Sequence, residues 1–311
     1  MTKKLAIVFP GQGSQSVGML TELYQYSDVI KHTFDEASVA LGYDLWALVA
    51  NGPEADLNET HRTQPALLTA SVAVWRLWQQ QDGIAPAYLA GHSLGEYSAL
   101  VCAGVLSLAD AVKLVEKRGQ YMQQAVPAGT GAMFAIIGLD DAAIAKACAE
   151  AAQGEVVAPV NYNSPGQVVI AGQKAAVERA GELCKAAGAK RALPLPVSVP
   201  SHCELMRPAA EKLATDLTAL QFNTMVIPVV NNVDVAIVDS EQQIKDALVR
   251  QLYSPVRWTE TIEWLAAQGV TDVIELGAGK VLSGLVKRIN KELVTTSVTD
   301  QVSLQAALAD K

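Results

Sequence analysis

Ala87-Tyr88-Leu89-Ala90-Gly91-His92-Ser93-Leu94-Gly95 is the stretch on which the fold turns. Ala87–Ala90 is a short apolar run with the character of a buried strand, Gly91 breaks it, and a helical pattern begins at Leu94. A strand that passes through a glycine turn straight into a helix is the unit of a parallel α/β sheet. Gly91-His92-Ser93-Leu94-Gly95 also fits G-x-S-x-G, a turn that lifts a serine hydroxyl clear of the sheet with backbone N–H groups beside it. The flanking residues lack side chains for a steric reason. The helix that follows aims its partial positive end at the oxyanion of an acyl-transfer step.

The same alternation extends outward from this turn. Leu5–Phe9 reads as a buried strand entering the loop Pro10–Gln15, Ala66–Gln80 has helical apolar spacing, and a further helix is expected over Leu108–Gln124. From Gly131 the pattern changes. Strand Ala132–Ile137, helix Asp141–Ala152, strands Val156–Asn161 and Gln167–Ala171, helix Lys174–Ala187 and strand Arg191–Val197 give the order β-α-β-β-α-β. That is the ferredoxin-like pattern, with a hairpin turn expected at Asn163-Ser164-Pro165-Gly166. Beyond Pro200 the alternation resumes, with helix Arg207–Leu220, strand Val226–Val230, helices Gln242–Leu252 and Thr259–Gln268, strand Val273–Leu276 and helix Val281–Lys291. The expected organisation is a large α/β lobe over 1–127 and 200–311, interrupted by a small ferredoxin-like subdomain over 128–199. The two lobes are expected to pack tightly, since no low-complexity linker separates them.

Composition supports a packed globular protein: half of the 311 residues are hydrophobic and 18% are charged. The longest nearly apolar stretch, Ala99–Ala109, is too short for a bilayer and contains Ser107. No export signal is read in Lys3–Pro10, so the cytoplasm is the expected compartment. Cys102, Cys148, Cys184 and Cys203 are widely spaced and include no Cys-x-x-Cys pair, against a zinc site or a disulfide framework. A formal charge of -8 repels nucleic acid, and repels an acidic protein partner unless a local basic patch overrides it.

Serine is a poor nucleophile at neutral pH and needs a base, and the chain offers His32, His61, His92 and His202. His32 and His61 sit in polar, solvated stretches. His92 adjoins the serine, but neighbours on such a turn point apart. His202, in Val197-Ser198-Val199-Pro200-Ser201-His202, lies where the small lobe ends, at the natural edge of an interlobe cleft, and is the better candidate. Gly11-Gln12-Gly13 lacks the third glycine of a dinucleotide fingerprint, and Gly277-Ala278-Gly279-Lys280 lacks Walker A spacing, so the latter is read as a tight turn.

Phe9-Pro10-Gly11-Gln12-Gly13-Ser14-Gln15, Thr63-Gln64-Pro65-Ala66, Gly91-His92-Ser93-Leu94-Gly95-Glu96-Tyr97 and Pro200-Ser201-His202 together resemble the malonyl-CoA:acyl-carrier-protein transacylases, in that family's order and spacing. The resemblance runs from Leu5 to about Ile289 and implies an α/β-hydrolase-like lobe carrying the ferredoxin-like insertion. It implies Ser93 as nucleophile, His202 as general base, the backbone N–H groups of Gln12 and Leu94 as oxyanion hole, and the Gln251 carbonyl as the group that orients His202. Asn161 and Gln64 would line the cleft. Arg118, which local sequence alone would put on a basic face with Lys113 and Lys117, would hold the free carboxylate of the malonyl group by two parallel bonds. The implied reaction moves malonyl from malonyl-CoA to the phosphopantetheine thiol of acyl carrier protein in fatty-acid synthesis, by ping-pong and without metal or other cofactor. Ser201 departs from modular polyketide acyltransferases, where phenylalanine before the histidine accompanies malonyl and serine accompanies methylmalonyl; discrete bacterial transacylases resemble this chain in having serine there.

A serine hydrolase would use the same serine and histidine but gain nothing from a buried arginine, and a noncatalytic acyl-carrier or coenzyme A binding protein would need neither. For docking an acidic carrier, Lys280, Lys287, Arg288 and Lys291 form the larger cationic stretch and Lys190 with Arg191 a smaller one.

Overall fold

A computed structural model describes residues 3–197 and 199–309. Ser198, just before the expected base, and the two chain ends of the expected large lobe lie outside the described residues. The first sheet has five strands in the order β7 (Val229–Val230), β2 (Tyr88–Gly91), β1 (Leu5–Phe9), β8 (Asp272–Leu276) and β9 (Val294–Val298). Every neighbouring pair in it is parallel. Its central strand, Leu5-Ala6-Ile7-Val8-Phe9, is buried at each residue. Leu5, Ile7 and Phe9 pack into one apolar cluster with Leu67, Leu100 and Leu114, while Ala6 and Val8 pack into another with Trp258 and Leu285. This alternation, two residues long, explains why a strand covered by helices on both faces reads as an unbroken apolar run.

The second sheet is antiparallel, in the order β4 (Val157–Ser164), β5 (Gln167–Gln173), β3 (Gly131–Ile137) and β6 (Arg191–Pro194). Helices Asp141–Ala152 and Lys174–Ala186 cover it, so the element order through this stretch is β-α-β-β-α-β. The edge of β4 meets the segment that leads into helix Trp258–Ala267. Val256 donates its N–H to the Val160 carbonyl (2.8 Å) and Tyr162 donates to the Val256 carbonyl (3.0 Å), which holds Asn161 beside Val256 in a single parallel bridge. Thr259 Oγ1 adds a bond to the Tyr162 carbonyl (3.0 Å).

Several elements depart from the sequence expectations. Helices Thr21–Tyr26, Asp28–Leu41, Leu45–Asn51 and Glu54–Leu57 precede the long helix Thr60–Gln80, and β9 with helix Gln301–Ala309 follows the last expected element. The expected strand over Val226–Val230 shrinks to two residues: Pro228 has no N–H to give a ladder, although its carbonyl accepts from Leu89 (2.8 Å). The carboxyl ends of β1, β2 and β7 lie side by side. The loops leaving them carry Gln12, Ser93 and Asn232, at the place where open parallel sheets gather their ligands.

Candidate active site

Ser93 sits at the tip of the turn between β2 and helix Gly95–Cys102 with φ of 51°, in the left-handed region that non-glycine residues rarely adopt. Such a conformation costs on the order of 1–3 kcal/mol and persists only when its surroundings enforce it. They do so from both sides. Its N–H donates to Asn232 Oδ1 (2.7 Å), and its carbonyl accepts from Gln251 Nε2 (3.0 Å). Asn232 is in turn fixed by donating Nδ2 to the Gly91 carbonyl (2.7 Å). The glycines let the turn close: a Cβ on Gly91 would fall 1.9 Å from the Gly95 carbonyl, and one on Gly95 would fall 2.1 Å from the Phe9 carbonyl oxygen.

Ser93 Oγ lies 2.7 Å from His202 Nε2. His202 also has positive φ (64°) and is gripped by the end of helix Glu241–Gln251. Its Nδ1–H donates to the Gln251 carbonyl (2.7 Å), and its backbone N–H donates to the Leu252 carbonyl (3.0 Å). Both carbonyls lie at the end of that helix, where no N–H of a following turn is left to donate to them. The same helix end carries partial negative charge, which favours an imidazolium while the proton is in transit. Burial, together with the nearby positive charge of Arg118, lowers the His202 pKa to about 3, with the bond to Gln251 opposing the fall, so the imidazole is neutral at pH 7.

Arg118 is wholly buried on helix Leu108–Ala125, while Lys113 and Lys117 are exposed. The face shared by these three residues on local sequence grounds is therefore not one face. Gly119 brings this helix against the start of helix Thr60–Gln80, since a Cβ there would lie 2.5 Å from His61 Cα. Arg118 thereby donates Nη1 to Gln64 Oε1 (2.7 Å) and Nη2 to Gln251 Oε1 (3.0 Å), and its guanidinium lies over the Tyr97 ring at 5.3 Å. Among the described residues its Nε, which is buried, has no hydrogen-bond partner. Burial lowers the arginine pKa, opposed by Tyr97 and then Glu96.

The loop after β1 joins the same network. Gln12 Nε2 donates to Thr60 Oγ1 (2.6 Å), which also accepts from Gln64 Nε2 (3.1 Å). Among the described residues, the backbone N–H groups of Gln12 and Leu94 form no hydrogen bond. Asn161 is buried and its Oδ1 has no partner. His92 turns away from the serine and bonds Asn163 of β4 through Nε2 (2.7 Å). His32 is exposed, and His61 Nδ1 pairs with Gln123 Oε1 (2.9 Å). Among the described residues, no group of His, Cys, Asp and Glu side chains could hold a metal ion, and no helix is long and apolar enough to cross a membrane.

A strained serine paired with a neutral histidine, unbonded N–H groups beside it and a buried cation nearby are parts suited to moving an acyl group that bears a negative charge. The model of the acyl transferase domain family matches residues 6–304. The chain belongs to the acyl transferase family. It is thus an acyltransferase, and its similarities lie among bacterial members of that family. The malonyl CoA-acyl carrier protein transacylase of Salmonella typhimurium is 65% identical over 305 residues, covering 98% of this chain and 99% of that protein. An acyl carrier protein S-malonyltransferase structure from Vibrio cholerae has a TM-score of 0.96 at 70% identity, covering 98% of this chain and 99% of that one. A malonyl-transacylase solved with its type II PKS acyl-carrier protein has a TM-score of 0.99 at 62% identity, covering 99% and 100%.

The family resemblance in the sequence left two members of this network without a role. They are Glu96, which stands in the glycine-serine motif, and Asn232, whose pair Asn231-Asn232 directly follows an apolar run. Polar residues at the carboxyl end of a buried strand are the signal that would have found the second.

Proposed function

We propose that this chain transfers malonyl from malonyl-CoA to the phosphopantetheine thiol of acyl carrier protein, through a malonyl ester on Ser93, in the supply of fatty-acid elongation in the cytoplasm. The observation that carries the substrate class is Arg118: a buried cation whose visible bonds go to two neutral amides and whose Nε has none. A buried arginine so sparsely compensated favours an acyl group that brings its own carboxylate. A hydrolase of neutral esters would carry the cost of that cation without return.

In the first half-reaction Ser93 Oγ attacks the thioester carbonyl as its proton passes to His202 Nε2. The N–H groups of Gln12 and Leu94, unbonded among the described residues, would receive the oxyanion, with the helix that starts at Gly95 adding its positive end. Collapse breaks the carbon–sulfur bond, and His202 returns the proton to the departing coenzyme A thiolate. In the second half His202 takes the proton of the phosphopantetheine thiol, the sulfur attacks the ester, and Ser93 recovers its hydrogen. The substrate has a second effect on the base. Its carboxylate offsets the Arg118 charge, which after burial is the larger of the remaining causes that depress His202, and so shifts the histidine towards proton acceptance when cargo is bound. We read the stretch 128–199 as an inserted ferredoxin-like subdomain on a hydrolase-like lobe, with Asn161 and Gln64 facing the cleft between them.

Intact-protein mass spectrometry after mixing with malonyl-CoA tests the proposal. The wild-type chain gains one malonyl group, Ser93→Ala gains none, and His202→Ala gains it more slowly by several orders of magnitude. A stable gain in the Ser93→Ala variant would remove the nucleophile.

A further inference from the structure

We infer that Glu96 is a positioning residue for acyl selection, acting through the side-chain amide of Gln251 to aim the guanidinium of Arg118. The inference rests on the malonyl reading above and assigns a part in it to a residue whose side chain touches neither serine nor histidine, although its backbone N–H donates to the Ser93 carbonyl (3.0 Å).

Glu96 lies in the first turn of helix Gly95–Cys102 and is 3% exposed. Its Oε2 accepts from the Asn232 N–H (2.9 Å) and from Gln251 Nε2 (2.9 Å). The second Gln251 Nε2 bond runs to the Ser93 carbonyl (3.0 Å), so both amide hydrogens are used and Oε1 is left to face Arg118 Nη2 (3.0 Å). A primary amide can rotate by half a turn at little intrinsic cost, and what fixes its direction is its partners. Here the fixing partners on the far side are the Glu96 carboxylate and the Ser93 carbonyl, which accept and cannot donate, and the carboxylate is the one that carries charge. Were the amide reversed, its NH2 would meet the guanidinium and its oxygen would meet the Glu96 oxygen, and both contacts would repel.

The indirect link also solves a problem of charge. A carboxylate bonded straight to Arg118 would occupy the donors that the substrate needs. With Gln251 between them, Glu96 offsets the buried cation while the Nε donor stays unpartnered. The charged groups facing Glu96 are Arg118 from helix Leu108–Ala125 and Asp234 from the turn after β7, with Tyr97 adjoining it on its own helix. Burial raises its pKa to about 7; bonds from Gln251 and Asn232 and the Arg118 charge oppose the rise, and Asp234 adds to it. The sign follows: as pH falls through about 7 the carboxyl gains a proton, its hold on the Gln251 amide weakens, and recognition of a carboxylate-bearing acyl group is lost. Transfer of acetyl, which makes no use of Arg118, has no such dependence.

The experiment is the ratio of malonyl to acetyl kcat/KM, measured with N-acetylcysteamine thioesters across the neutral range so that no coenzyme phosphate titrates. In the full wild-type chain the ratio is expected to fall as pH falls through about 7. Glu96→Gln should lower it about 10- to 100-fold at alkaline pH, the worth of a hydrogen bond to a charged group, and remove its pH dependence. In an Arg118→Ala background the same substitution should change the ratio no further, which a merely structural effect would not reproduce. An unaltered ratio in Glu96→Gln overturns the inference. If that variant does not fold, the wild-type profile decides: a ratio flat across neutral pH overturns it equally. A wild-type chain that accepts malonyl, with Arg118→Ala impaired but Glu96→Gln unimpaired, sinks this inference alone, whereas a wild-type chain that takes up no malonyl sinks both.

Discussion

Two buried regions of the molecule are built on opposite plans. Between the antiparallel sheet and its helices, Ile136, Ile144, Val168, Ile170 and Val177 pack with Cys148 and Cys184 into a cluster that is apolar throughout. Beneath the serine, Gln64, Glu96, Arg118, Asn232 and Gln251 are equally buried, yet almost every contact named above is a directed hydrogen bond. An apolar cluster tolerates a lost methylene by partial collapse and loses stability in proportion. A buried polar network has no such gradation, because each removed partner leaves another group unpaired in low dielectric. The first plan stores stability, and the second stores geometry.

The sharpest way to break this contrast is Arg118→Ala. Malonyl transfer should fall by the equivalent of about 2 to 5 kcal/mol, while acetyl transfer holds or improves because no unpaired cation remains. Arg118→Lys should recover little, since an ammonium cannot reproduce a planar two-pronged donor. Specificity constants for the two acyl groups are the measurement, and equal losses for both would reduce Arg118 to a structural residue. A smaller effect is expected from Ile170→Val in the antiparallel sheet. Ile170 is fully buried between β3 and β4, so deleting one methylene should cost about 0.5 to 1.5 kcal/mol in a urea titration and leave the rate of malonyl-enzyme formation untouched. A change in that rate would mean that the apolar plan also carries geometry.

The smallest effect concerns the surface. Lys280, Lys287, Arg288 and Lys291 are all exposed, and Arg288 reaches Gln167 of β5 through Nη1. Reversing charge at Lys287 and Arg288 should raise KM for carrier protein a few-fold, as about 1 kcal/mol or less per rim charge allows, and leave KM for malonyl-CoA alone. Steady-state titration of each substrate checks this, and a parallel rise in both constants would move the docking site elsewhere.

How far each part was legible in the sequence follows from how local its determinants are. The β-α-β-β-α-β stretch shows in the sequence because every strand and helix there carries its own period, and helix Asp141–Ala152 has the bounds expected of it. β9, Val294-Thr295-Thr296-Ser297-Val298, escaped because an edge strand of a parallel sheet has neither an unbroken apolar run nor strict alternation. Helix Asp28–Leu41 carries signals, a Ser27 cap and buried Ile30, Phe34 and Ala37, but the polar residues Lys31, His32, Asp35 and Glu36 interleaved with them mask its period. Arg118 is the instructive case. Its charge suggested solvent, but Ala111, Leu114, Val115 and Met122 are buried at helical spacing around it, so period placed it inwards where residue type did not. The amides of Gln64 and Gln251 that meet Arg118 come from positions 54 and 133 residues away, a pairing that no local pattern encodes.

One consequence belongs to the carbonyl that holds His202. It is contributed by the main chain at position 251 rather than by any side chain, so no codon change at that position can delete it. An alanine scan would pass over this contact, and genetic drift cannot erode it while the helix keeps its length. Heredity here resides in where a helix stops. An insertion or deletion within Glu241–Gln251 would do what no point substitution can, sliding a different carbonyl under the imidazole and leaving every catalytic letter of the sequence in place.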